Sequence, residues 1–325
     1  MLKKIIKKTI SNIFYKQSLD FVQSILGTSA ISLLDIGAAH GAPERWEFFK
    51  KKIDYYGVEP DPRSSESVLI KNSEDGYHSQ TLITKAIWDV AGEVTLNLCR
   101  KPMNSSIYKP NSEFVKLFPD SEKKTFDILS TVNLVCDTVD NIAQKSGLLF
   151  DAIKLDIQGG ELNAIKGASR VLNSTLAVEV EIEFTHLYTD QPLFDEIFST
   201  LRKSNFEFMD FISINRWSVK EINGTGQLTF ADALFMKVPE AIVVAADEYA
   251  IRKYAAICAV YERGDLLIRL GDSLRSAGLN SDLCNRINQF GFYISKRNAK
   301  SQKKYSFASK FIQLTHPGAR AHMLH

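Results

Sequence analysis

From residue 31 to 238 short apolar runs alternate with segments of helical texture, and this alternation restricts the fold more than any other feature of the chain. Strands separated by helices form βαβ units, and such units build a mostly parallel sheet with helices on both faces. The strand candidates are ISLLDIGA (31–38), IDYYGVEPD (53–61), LITKAIWD (82–89), FDAIKLDIQGG (150–160), LAVEVEIEF (176–184), FEFMDFIS (206–213) and FADALFMK (230–237). PERWEFFKKK, with Pro43 near its start, RSSESVLIKN, and segments near 161–172 and 192–203 are expected as helices. EVTLNLCR (93–100) alternates apolar and polar residues after an Ala-Gly pair, which suits an antiparallel addition. TFDILSTVNLVCDTVDNIAQK passes from strand-like to helical texture.

The two ends differ from this body. After Pro239 the pattern is helical through about residue 290, and from Lys296 it is basic, polar and poorly patterned. The expected organisation is therefore a basic N-terminal region (1–30), an α/β domain (31–238) and a helical C-terminal extension with a basic tail (239–325). Charge follows the same division. Residues 1–16 hold five lysines and 283–325 hold eight Lys/Arg, neither with an acid, so all 38 acids face 27 basic residues in 17–282. A body at net −11 beneath a formal total of +2 argues against wrapping nucleic acid, which needs a basic face on the folded domain.

Leu2, Ile6, Ile10, Ile13 and Phe14 recur at helical spacing opposite Lys3, Lys4, Lys7 and Lys8. Such a helix can lie on an anionic membrane surface or dock on its own domain. With no apolar run long enough for a signal or a membrane span, the chain reads as cytoplasmic, with peripheral contact at the inner membrane face through 1–16 as an option. Four scattered cysteines with no CxxC pair fit reduced thiols and give no zinc signal. The spacing of Ile251, Tyr254, Ile257, Cys258 and Tyr261 means packing, on the sheet or between subunits of a homo-oligomer.

The first strand ends in LLDIGAAHG (33–41). In an open parallel sheet, ligands sit beyond the carboxyl ends of the strands, where the strand order reverses. A glycine-rich turn there lets a ligand approach the backbone. A dinucleotide fingerprint would be GxGxxG, but here Gly37 and Gly41 give GxxxG, and Asp35 just before them would repel a pyrophosphate. The acid suits a ligand that is cationic near the turn, as the amino group and sulfonium of S-adenosylmethionine are. Glu59, ending the second strand in GVEPDP, suits the ribose hydroxyls of the same molecule. Either acid alone also reads as a strand-end cap on a solvated loop; the pair at this spacing favours the adenosyl reading.

With DIGAAHG (35–41), GVEPDP (57–62), KAIWDVAGEVTLNL (85–98), NSSIY (104–108), DAIKLDIQGGELNAIKGA (151–168) and ADALFMK (231–237), the chain resembles the FkbM-type methyltransferases over roughly 31–238. The resemblance implies a class I methyltransferase sheet, Rossmann-like and seven-stranded, with S-adenosylmethionine as donor and O-methylation, often of sugars. It implies that Asp35, Gly37 and Gly41 frame the methionine end of the donor, with Ala38 and His40 in the same turn. Glu59 and Pro60 would meet the ribose, Ala86 and Ile87 the adenine, and Asn104 and Ser105 the donor carboxylate. Ala39 stands where the looser pattern DxGxGxG has its middle glycine.

Transfer to a hydroxyl needs the acceptor aligned and its proton removed, by a base, a divalent metal or both. Asp156, closing IKLD, is open to three roles: metal ligand, base or orienter of the substrate. AVEVEIEF puts Glu179, Glu181 and Glu183 on one face of an interior strand, where three carboxylates cannot all stay ionised without partners. Glu183 is nearest the crevice, and His186 in FTHLY is either a general base or a surface histidine. The expected reaction is O-methylation of a sugar or glycan hydroxyl. Its rivals are an inactive methyltransferase-like scaffold in glycan assembly and an NAD-linked Rossmann oxidoreductase.

Overall fold

The computed structural model describes residues 15–39, 41–61, 63, 76–218, 226–245 and 247–315, with side chains as far as Ala299. It divides into two compact units, Leu26–Lys237 and a second that joins residues 15–25 to the chain after Val238.

Among its described residues the larger unit holds ten strands: β1 (Ile31–Ile36), β2 (Ile53–Val58), β3 (Ser79–Ile83), β4 (Ala86–Ile87), β5 (Gly92–Cys99), β6 (Ile128–Asp137), β7 (Ala152–Leu155), β8 (Ala177–Glu183), β9 (Glu207–Trp217) and β10 (Gln227–Met236). Seven form one sheet in the order β3-β2-β1-β7-β8-β10-β9. Neighbours are parallel except β10, which runs antiparallel to both β8 and β9. This is the class I methyltransferase sheet. The chain leaves β1 outward through β2 and β3, then returns to β7 on the other side. The order therefore reverses between β1 and β7, and the crevice of such a fold opens above that pair. β7 and β8 are buried at every position, as strands covered on both faces must be.

Among the described residues the helices of six residues or more are, in chain order, α1 (15–26), α2 (Val139–Ser146), α3 (Glu161–Lys166), α4 (Phe194–Lys203), α5 (Pro239–Val244), α6 (Glu248–Val260), α7 (Gly264–Ser276) and α8 (Ser281–Thr315). Local chemistry sets their ends. The Thr138 hydroxyl accepts the Asn141 N–H at 3.0 Å to start α2, and Gly147, at φ 68°, closes it. α4 buries Ile197 and Leu201, one turn apart, on the main core with Val178, Val180 and Ile182 of β8.

Three expectations change. The segment 82–89 is two strands: β3 ends at Ile83, and after a break at Thr84–Lys85 the chain moves to a second sheet of order β4-β6-β5. Ala86 and Ile87 pair there with Cys136 and Asp137, which buries both side chains away from the half-exposed edge strand β3. The antiparallel strand over 93–100 is present as β5, but it pairs with β6 in this small sheet. PERWEFFKKK is one helical turn, Glu44–Glu47, followed by a 3-10 turn at Lys50–Lys52. Trp46 and Phe49, both buried, stand three residues apart, and the tightened turn sets them on one side. RSSESVLIKN lies outside the described residues beyond Arg63.

The second unit is helical. Phe21 of α1 stacks on Phe290 of α8 with centroids 4.1 Å apart, and Arg286 reaches the Ser24 carbonyl at 2.9 Å. α8 buries Leu283, Cys284, Ile287 and Ile294 and runs on through Thr315, where the sequence suggested a patternless tail. Once the apolar turns nucleate a helix, each further residue adds a hydrogen bond at low cost, so polar residues extend it. Among the described residues no helix is long and apolar enough to cross a membrane. The amphipathic positions Leu2 to Phe14 lie outside the described residues, as do His316, His322 and His325.

Candidate active site

A row of charge crosses the middle of the sheet. Asp35 of β1 is in register with Lys154 of β7, and Lys154 with Glu179 of β8, so the three side chains stand side by side on one face. Lys154 Nζ lies 3.4 Å from Asp35 Oδ1 and 3.4 Å from Asp156 Oδ2. Burial alone would depress the ammonium, but the carboxylates of Asp35, Asp156 and Glu179 outweigh it and raise its pKa. Glu179 is also held by Arg45. Glu179, the innermost acid of β8, therefore has a cation on the neighbouring strand. We predict that Lys154→Met, which leaves the buried Asp35 carboxylate without its cation, costs about 3 kcal/mol or more in a denaturant titration; an unchanged midpoint would refute the pairing.

Above this row the strand tips enclose a cavity of about 590 Å3. At the tip of β1, Gly37 adopts φ 90°, and a Cβ there would lie 1.9 Å from the Asp156 carbonyl oxygen. Its N–H and that of Ala38 both donate to the Val58 carbonyl at 3.0 Å, which draws the turn against β2. Glu59, just past β2, lines the cavity and accepts the Asp61 N–H at 2.8 Å. Burial pushes its pKa up to about 7, against the pull of that backbone bond. Arg63 grips Asp61 and reaches Ser105 Oγ at 3.0 Å, tying this turn to the loop 101–106. Ala86, Ile87, Leu96 and Leu134 give the cavity an apolar side.

The loop after β7 makes the opposite side. Gln158 stands at φ 58°, a conformation rare for a residue with a Cβ, ahead of Gly159 at φ 100°. The fully buried Glu161 carboxylate accepts the N–H groups of Ile157 (2.6 Å) and Gly159 (2.8 Å) and clamps the turn. The Gln158 amide donates to Glu181 (2.7 Å) and Asp156 (3.2 Å), and its oxygen accepts from the Tyr188 hydroxyl (3.0 Å). Further along β8, Glu183 is 1% exposed and lines the cavity, with one carboxylate oxygen lacking any hydrogen-bond partner among the described residues. Burial, then the charges of Glu161 and Asp156, hold its pKa well above the ordinary carboxylate range; Glu181 is raised in the same way, by burial first and then by Asp156.

A family model for the methyltransferase FkbM domain matches residues 35–208. The chain belongs to the FkbM methyltransferase family. This methyltransferase takes its methyl group from S-adenosylmethionine. A search of curated proteins finds no match. Solved structures resemble the chain at the level of fold. The magnesium protoporphyrin IX methyltransferase of Synechocystis, with bound SAM, is 11% identical, covers 69% of this chain and 80% of its own, and has a TM-score of 0.36. The precorrin-6y C5,15-methyltransferase of Geobacter metallireducens is 10% identical over 67% and 86%, at 0.35. At such scores the likeness adds nothing to what the strand order already shows.

The cavity wall of this FkbM methyltransferase brings together Gly37, Glu59, Pro60, Ala86, Ile87, Asn104, Ser105, Asp156 and Glu183 of the residues singled out in the sequence. Four others are elsewhere. Asp35, expected against the donor, is fully buried behind the turn, with the Tyr55 hydroxyl donating to it at 2.7 Å and Lys154 beside it. It lies two residues inside the strand tip, where its side chain joins the charge row, so it supports the turn from below. Ala38 is buried, and Gly41 lies off the wall, its N–H donating to the Ala38 carbonyl. His186 is exposed and off the wall because the chain turns outward after β8; its carbonyl accepts the Asn111 amide at 2.9 Å. His40 lies outside the described residues. No group of three or more His, Cys, Asp or Glu among the described residues is placed to hold a metal ion, so Asp156 has no ligand set around it.

The sequence reading passed over Lys154, Gln158, Glu181 as a wall residue, Tyr188, Arg216 and Trp217. For Gln158 a signal existed: a polar residue before two glycines at a strand tip marks a tight turn.

Proposed function

We propose that this methyltransferase transfers a methyl group to a hydroxyl of a sugar or glycan, with Glu183 as the base. The observation that carries it is the buried Glu183 carboxylate, one oxygen free, on the wall of the donor's cavity. The residues present fit the donor. The absent Cβ of Gly37 leaves room at the β1–β7 switch point, Glu59 presents a carboxylate to hydroxyls, and Ala86, Ile87, Leu96 and Leu134 offer an apolar slot for a base ring. S-adenosylmethionine supplies an activated methyl on a cationic sulfur.

The chain's own groups do the rest. Glu183 takes the proton from the acceptor hydroxyl as the new C–O bond forms and the methyl–sulfur bond breaks, its electron pair staying on sulfur as a neutral thioether; a carboxylate with a raised pKa is the stronger base. Gln158 fixes Asp156 and Glu181 at the cavity edge, where they accept the neighbouring hydroxyls that a sugar presents. Carboxylates beside the rings of Phe118, Phe126 and Trp217 suit a molecule with polar edges and an apolar face. Incubating the enzyme with S-adenosylmethionine and a panel of saccharides should add the mass of one CH2 group to a sugar hydroxyl; methylation confined to amines or ring carbons would end this reading.

Glu59 gives a pH signature. Its carboxyl titrates near 7 in the folded protein, so the ionised, hydroxyl-accepting form is scarce at pH 6 and dominant at pH 8. Donor affinity should therefore rise with pH across that window, by up to about tenfold, and Glu59→Gln should flatten the profile. The sign for stability is opposite: a carboxyl that binds its proton more tightly when folded favours the fold less as pH rises from the ordinary carboxylate range through 7. Calorimetric titration with the donor at several pH values reads the first effect.

A further inference from the structure

Beyond the donor's end the cavity reaches a second wall at the tip of β9. Arg216 and Trp217 both line it, with Phe118, Phe126 and Phe230. The half-buried Trp217 ring is met edge-on by Phe118, Phe126 and Phe230, at centroid distances of 4.6, 6.0 and 6.3 Å. Phe230 is the register partner of Glu183. The aromatic wall therefore begins one strand spacing from the proposed base, about 5 Å, which is about the width of a sugar ring.

Arg216 differs from its neighbours in the same unit. Arg45, Arg63, Arg100 and Arg170 each hold a carboxylate, and Arg202 lies over the Phe198 ring. The Arg216 guanidinium, exposed, has among the described residues one long contact, to the Gly226 carbonyl at 3.5 Å. The rest of the lining is rich in acid: Glu59, Asp61, Glu122, Asp156, Glu181 and Glu183, against Lys101 and Arg216. A neutral acceptor needs no cation there, whereas an anionic one would be turned away by that wall without one. A planar guanidinium takes a phosphate or carboxylate through two parallel hydrogen bonds.

We infer that Arg216 and Trp217 form the acceptor subsite and that the acceptor is an acidic sugar, its ring against Trp217 and its phosphate or carboxylate on Arg216. This rests on the methyl-transfer reading above. The raised pKa of Glu181 agrees with it, since a protonated neighbour repels an anion less.

The test is calorimetric titration of the full chain, saturated with S-adenosylhomocysteine, with glucose 1-phosphate, glucuronate and methyl glucoside. At least one acidic probe should bind about tenfold or more tightly than the neutral one, and which acid does so separates phosphate from carboxylate. Arg216→Gln should abolish the difference, Arg216→Lys should keep part of it, and neither should alter S-adenosylhomocysteine binding, because the residue is exposed and distant from Glu59 in the fold. Equal binding of the acidic and neutral probes, no binding of either acid, or an acidic preference that survives Arg216→Gln would overturn the inference. Failure of the wild type to bind S-adenosylhomocysteine would instead strike the methyl-transfer reading itself.

Discussion

Glu183→Gln lowers turnover by about a thousandfold while donor affinity stays within about twofold of the wild type. The asymmetry follows from where Glu183 sits. It closes β8, two strands from the glycine turn, and its side chain faces the acceptor half of the cavity beside Phe230. Glutamine keeps its shape and removes only the ability to take a proton. Burial works in favour of the role, since a carboxylate held away from water and near the charges of Glu161 and Asp156 gains proton affinity. Asp156→Asn tests the competing assignment. Asp156 is more exposed, and Gln158 and Lys154 already lie against its two oxygens, which suits an orienting group better than a base. Its loss should raise KM more than it lowers kcat. Turnover intact in Glu183→Gln and lost in Asp156→Asn would reverse the two roles.

Gly37→Ala abolishes donor binding and destabilises the larger unit by about 3 kcal/mol or more, or roughly 6–12 °C in Tm. Two costs combine. The added Cβ would sit 1.9 Å from the Asp156 backbone oxygen, which no side-chain rotation relieves, and φ 90° is disfavoured for any residue but glycine. The turn must then back away from β7, and it is the β1–β7 gap that forms the donor's entry. Gly92→Ala is the control. Nothing lies within 4 Å of a Cβ at that site, so its Tm should stay within about 1 °C. A Gly37→Ala protein with normal Tm and normal donor affinity would show that the turn is not the close approach described above.

The parts of this molecule that sequence alone revealed are those whose signal is local. The strand–helix alternation, the glycine turn of 35–41 and Glu59 at the second strand tip each rest on a few consecutive residues, and each led to the right element. Asp35 was legible as an acid at a strand end, but its direction was not. Only the sheet register shows that Lys154, more than a hundred residues later, stands beside it and draws it into the interior. The same register explains Glu179 of β8, whose cations belong to β7 and to Arg45; Glu181 meets the Gln158 amide instead, and both it and Glu183 are held by burial at a raised pKa. The break at Thr84–Lys85 escaped notice because both halves of 82–89 are apolar, and a change of sheet leaves no mark in periodicity. Arg216 and Trp217 reach the cavity through an antiparallel pair that brings the end of β9 to the same end of the sheet as the tip of β8, with β10 between them. His186 carried the right chemistry and the wrong placement: three residues past a strand tip, the chain had already turned away.

A crystal structure of the enzyme soaked with S-adenosylhomocysteine tests the account most directly. It should show the ribose hydroxyls on Glu59, the adenine between Ala86–Ile87 and Leu96–Leu134, and the sulfur beside Gly37 facing Glu183 across the cavity. Nucleoside density anywhere else on the chain, with Glu59 and Gly37 untouched, would contradict it.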